Sequence, residues 1–224
     1  MEILKLLLVF LMLALAAFSP FGRDVFDNYI YAGGVVIGLL SAYISFKNGR
    51  LFERLWSVAF ISLAVHQGLN LTNYVPAAFL GDVFYMGFYL MLFAGNIVHL
   101  WEANSVLMLS SSILLSLLSL FVSLLAAFTL SPFNMRPMSS FFNVFYVLFS
   151  AVNVFATLRP ALFDRAWVLR TLAFGIFTLS EIWFVEWMYF SVNPPDPSTT
   201  WFGVVMLAVL SQKPIDRRMR IVRF

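Results

Sequence analysis

The chain has no cysteine, only three lysines and two histidines, and just eleven per cent of its 224 residues are charged. Each scarcity excludes something. Without cysteine there are no disulfides, thiol nucleophiles, c-type haem attachment or Cys-based zinc and iron–sulfur sites. The lysines, Lys5, Lys47 and Lys213, all lie near the ends of apolar segments. A retinal Schiff base needs one in the middle, which argues against a rhodopsin-like pigment. His66 and His99 belong at different depths, which argues against a bis-histidine haem or metal site. No HExxH, GxSxG or Asp-rich diphosphate motif is present. No cofactor and no metal are expected. Catalysis on a lipid by His66 and an acid stays open, but the missing motifs weigh against an enzyme.

The shortage of charge is the most informative. A soluble domain carries roughly 25% charged residues, whereas 62% of this chain is hydrophobic. Its natural solvent is a bilayer, not water or a nucleic acid. A spanning helix needs about 20 mostly apolar residues, so the length allows up to about eight spans with short loops. The expectation is one membrane domain over 1–224, all-α, a polytopic helical bundle.

Eight apolar segments are read, at 3–18, 28–46, 55–73, 81–101, 105–129, 139–158, 167–191 and 197–212. The breaks carry turn chemistry and charge, as in "SPFGRD", "FKNGR" and "VNPPDPSTT". In hydrocarbon a helix satisfies its own backbone hydrogen bonds, and the runs do not alternate as barrel strands do. The first segment ends in "ALAAFS", which resembles a cleavage site, but "MEILK" is a poor signal-peptide start. It is expected to remain as an N-terminal helix or signal anchor; cleavage would leave seven helices. The eighth has a short apolar core, "WFGVVMLAVL", and spans only if its flanks reach the headgroups.

Cytoplasmic loops collect Lys and Arg. With the amino terminus inside, twelve of the fourteen basic residues fall on the inner side and only Arg23 and Arg136 on the outer. Both termini are therefore expected in the cytoplasm of a plasma-membrane protein. The basic tail 213–224 then lies on the anionic inner leaflet. Trp56, Trp101 and Trp167 fall at inner helix ends and Trp187 and Trp201 near outer ones, which suits headgroup anchors.

"LFERLW" at 51–56 recurs as "LFDRAW" at 162–167, 111 residues later. "LLSAYISF" at 39–46 and "LFSAVNVF" at 148–155 precede the two copies. Arg inside and Trp at the interface explain part of the match; the flanking residues argue for duplication. A parallel 3+1+3 repeat follows: 28–101 first, 105–129 as a linker helix, and 139–212 second. This arrangement is similar to that of SWEET-type sugar carriers. The Pro-Gln pairs of that wider family are absent, and the resemblance assigns no residue.

Ionisable groups at membrane depth are costly and mark a pathway or a bundle interior. Asp82, Tyr85, Tyr89, Asn96 and His99 form one stripe; Ser112, Ser116, Ser119 and Ser123 form another; Asn143, Tyr146, Ser150 and Asn153 a third. Most of these read as helix-packing faces. His99 reads as a wet interfacial residue beside Trp101 and Glu102, and Glu186 as solvated. The sharper set is His66, Asn70, Asp82, Tyr85 and Glu181: a polar, substrate-binding pocket between helices 3, 4 and 7, with Glu181 as its principal acid. This points to a transporter-like or solute-binding protein for a small solute or apolar ligand. The alternative is a non-enzymatic sensory or accessory subunit that signals through a separate partner membrane protein.

Overall fold

The computed structural model describes residues 2–18, 23–72, 75–102, 106–130, 137–190 and 198–210. They form α1 (Glu2–Phe18), α2 (Arg23–Asn48), α3 (Leu51–Asn70), α4 (Val75–Glu102), α5 (Val106–Leu130), α6 (Pro137–Ala161), α7 (Arg165–Phe190) and α8 (Ser198–Val205). The last helix widens into a π-helical turn, Met206–Leu210. Among the described residues there is no strand. The basic tail 213–224 lies outside the described residues. So do the side chains of Arg23, Ser123, Arg136, Asn143, Glu186 and Trp187.

One helix falls on each apolar segment, but several helices run past the apolar stretch. α3 begins at Leu51, not 55, because Glu53 and Arg54 are helical. Hydropathy marks where hydrocarbon fits; a helix continues into charged residues as long as its backbone bonds close. Among the described residues, three stretches are long and apolar enough to cross a membrane: Phe79–Glu102, Val144–Ala161 and Arg165–Val185. Tyr31–Lys47, Leu109–Phe121 and Thr200–Val209 are shorter apolar helical stretches. The outer surface agrees with a membrane protein. Leu6, Phe10, Leu114, Phe121 and Leu179 are each more than half exposed, a surface that in water would aggregate.

The repeated string has a local role. Gly49 turns the chain out of α2 with φ of 80°, a conformation that glycine adopts without a Cβ penalty. Glu53 then accepts the Arg50 backbone N–H at 3.2 Å. In the second copy Asp164 Oδ1 accepts the Ala166 N–H at 2.8 Å. In both, the acid satisfies an N–H that the helix start leaves over.

Six helices close a ring. Their main contacts run α2 to α3, α3 to α4, α4 to α6, α6 to α7, α7 to α8, and α8 back to α2. α1 lies outside against α2 and α8; α5 lies outside against α6 and α4. The interior is packed with rings: Phe52, Trp56, Phe60, Phe88, Tyr89, Phe174 and Phe177 are fully buried. Glycines let them in. A Cβ at Gly95 would run into the Trp56 ring, and one at Gly203 into Phe177.

Two sequence expectations are corrected. Trp56 and Trp167 are not headgroup anchors facing lipid; both are buried, as is Trp201. His99 is not a wet interfacial residue: it is 1% exposed. For Trp56, Trp167 and His99 the reason is Arg170, described below; Trp201 packs its ring against Gly34 of α2.

Candidate functional site

α4 and α7 face each other across the ring through long side chains. Glu181 on α7 is 5% exposed. Its Oε1 accepts a hydrogen bond from Tyr85 Oη at 2.5 Å and another from Tyr89 Oη at 2.7 Å. Both tyrosines stand on α4, four residues apart, so they share one helix face. Each hydroxyl keeps its donor satisfied while the carboxylate is out of water, where a lone charge costs several kcal/mol. Oε2 accepts no hydrogen bond from any described residue.

The other expected residues join through rings. His66 on α3 stacks on Tyr85, with centroids 4.6 Å apart and planes 15° apart. Asn70 Nδ2 donates to His66 Nε2 at 3.2 Å, which leaves the ring proton on Nδ1. That nitrogen faces the α4 backbone at Gly81, where a Cβ would stand 3.2 Å away. Asp82 Oδ1 accepts from Tyr146 Oη of α6 at 2.8 Å. Tyr146 and Tyr85 meet edge to face at 4.8 Å.

The structure thus brings all five sequence-predicted residues into one continuous network across α3, α4, α6 and α7. It adds two that sequence reasoning placed in packing stripes, Tyr89 and Tyr146. The signal for Tyr89 was its position four residues beyond Tyr85 on the same face. Glu181 points at that stripe from the opposite side of the ring. The members of the network are buried or half-buried and in direct contact with one another. A pocket of about 350 Å³ lies elsewhere, between α1 and α2, lined by Ile3, Leu4, Leu7, Tyr43 and Lys47.

One helical stretch toward the other end stands a second polar cluster that sequence reasoning missed. Arg170 is fully buried. Its carbon Cζ lies 4.3 Å from the Trp167 ring centroid, 4.7 Å from Trp56 and 5.2 Å from Phe52. Its Nη1 donates to His99 Nδ1 at 2.6 Å. Arginine always donates, so His99 is neutral at Nδ1 and carries its proton on Nε2. His99 stacks flat on Phe52, 3.9 Å between centroids. The two tryptophans of the repeated string therefore converge on one guanidinium. Cation–π attraction with this many faces is favourable because the group is desolvated.

Between the clusters, Asn96 donates to Asn153 at 3.1 Å and Asn153 to the Tyr89 carbonyl at 3.2 Å, which ties α4 to α6. Thr171 donates to Thr157 at 2.9 Å, which ties α7 to α6. Among the described residues no group of three or more His, Cys, Asp or Glu stands together as metal ligands.

No family model, no curated protein and no solved structure matches this chain.

Proposed function

We propose that this is a polytopic membrane protein of eight helices that binds a small solute at the Glu181 network, in the manner of a transporter. Both termini are cytoplasmic and the membrane is the plasma membrane. The observation that carries the reading is Glu181 itself. It is a buried carboxylate at membrane depth, held by Tyr85 and Tyr89 with no basic side chain bonded to it. A chain that needed only packing at this position is more stable with a hydrocarbon side chain.

The helix packing supports duplication. In the ring, the last helix of each half meets the first ring helix of the other: α4 meets α6, and α8 meets α2. α1 sits at the α8–α2 seam as α5 sits at the α4–α6 seam. A two-fold axis along the membrane normal relates such contacts. It makes α1 the counterpart of α5, so the halves are four helices each, with α5 no longer a bare linker. Parallel repeats of this kind place substrate sites at their interface. Glu181 on one half and Tyr85 and Tyr89 on the other stand at that interface.

Native mass spectrometry on gently solubilised protein tests the reading. A small molecule retained by the wild type and lost from Glu181→Gln, at equal expression, supports it. Equal retention in both overturns it. The packed state of the network favours one second reading, a sensory or accessory subunit in which Glu181 relays a change to a neighbour. A stoichiometric membrane protein that co-purifies, with no bound small molecule, supports that alternative.

A further inference from the structure

We infer that the solute taken at Glu181 is an organic cation, an ammonium with an apolar body; this rests on the solute-binding reading above. Three observations combine. First, Glu181 is held by neutral hydroxyls, and its Oε2 accepts nothing from the described residues. The basic side chain of the Lys5–Glu2 salt bridge belongs to α1 and is bonded within that helix. The carboxylate is thus arranged to be solvated at one oxygen and to meet a charge at the other.

Second, the surroundings are aromatic faces. Phe88 and Tyr89 each meet Phe177 edge to face, at 5.7 and 6.1 Å, and Tyr85 stacks on Phe88 at 5.8 Å. Ring faces attract a desolvated ammonium. They offer nothing to a bare metal ion, which wants six or more oxygens. An anion is repelled by the carboxylate and finds no buried cation beside it.

Third, the outer half of the chain is acidic. Under the proposed topology Asp24, Asp27, Asp82, Glu181, Glu186 and Asp196 lie outward, six acids against Arg23 and Arg136. A field of one sign raises the local concentration of the opposite ion at a cleft. Asp82, bonded to Tyr146, continues that sign to within one ring of Tyr85. The field on that side of the bundle therefore favours positive charge near the site.

Three probes of one shape test the charge: 2-phenylethylammonium, 2-phenylethanol and 3-phenylpropionate, measured by equilibrium dialysis against purified wild-type protein in nanodiscs. The ammonium is expected to bind at least about thirtyfold more tightly than the other two, since a desolvated charge pair carries that much. Glu181→Gln keeps an oxygen for both tyrosine hydroxyls and removes the charge, and is expected to abolish the preference. Tighter binding of the alcohol or the propionate, or a preference that survives in Glu181→Gln, overturns the cation class while leaving solute binding intact. Stabilisation by sodium or calcium chloride alone, with no effect of the ammonium, likewise overturns it. Binding of no probe of any charge, with no melting shift, overturns both the class and the solute-binding reading. The wild-type charge series needs no variant to fold.

Discussion

The two buried polar clusters are built on opposite principles. Toward the outer end in the proposed topology, an anion, Glu181, is held by neutral hydroxyls from Tyr85 and Tyr89. Toward the inner end a cation, Arg170, is held by the faces of Trp56, Trp167 and Phe52 and by neutral His99. Both join α4 to α7. Eleven residues of α7 separate them, about 16 Å at the helical rise. The aromatic cage closes around its charge from several sides, which is how a structural clasp is made. The carboxylate has one oxygen occupied and one that no described residue bonds. On the proposed reading, that difference makes the inner cluster architectural and the outer one the binding site.

The comparison predicts a ranking of stabilities in detergent. Arg170→Ala is expected to cost most, about 3–5 kcal/mol, because it removes a large buried side chain and strands a buried histidine acceptor. Arg170→Lys recovers only part of this, since a point charge does not lie flat against three rings. A drop of less than about 1 kcal/mol for the alanine variant in chemical denaturation would contradict the clasp. Gly95→Ala is expected to cost less, about 1–3 kcal/mol, from overpacking against Trp56; its melting temperature checks this.

Tyr85→Phe and Tyr89→Phe sharpen the comparison. Each single change is expected to lose about 1.5–3 kcal/mol of bonding to a charged group. The pair shares one oxygen, so the double variant should depart from additivity by at least about 0.5 kcal/mol in a double-mutant cycle. Strict additivity would mean the two hydroxyls act independently. Asp164→Ala has the smallest effect, about 1 kcal/mol, from loss of a helix-start acceptor. It should leave solute binding unchanged.

The outer network was legible because polar residues inside apolar segments are conspicuous. His66, Asn70, Asp82, Tyr85 and Glu181 each interrupt a run of hydrocarbon, and the helical spacing puts the α4 members on one face. The inner cluster was hidden by the same logic. Arg170, Trp56 and Trp167 stand where the bilayer favours Arg and Trp anyway, so their inward turn left no mark on the pattern. His99 was masked by neighbouring Trp101 and Glu102, which are indeed exposed. The helical class was readable from composition. Helix ends were not, because α3 and α2 carry charged residues past the hydrocarbon boundary. Nor was the ring: which helices touch depends on side-chain fit at positions such as Gly95 and Gly203, which hydropathy does not register.

The assignment of clasp and site to opposite faces depends on the bundle's topology, and the absence of cysteine allows a direct reading of it. Single cysteines at Asn48, Leu162 and Pro195, introduced into a chain with no other thiol, can be labelled with an impermeant maleimide in sealed, oriented vesicles. The account predicts that positions 48 and 162 react from the cytoplasmic side and position 195 from the other. Labelling of 48 and 162 from opposite sides would contradict it.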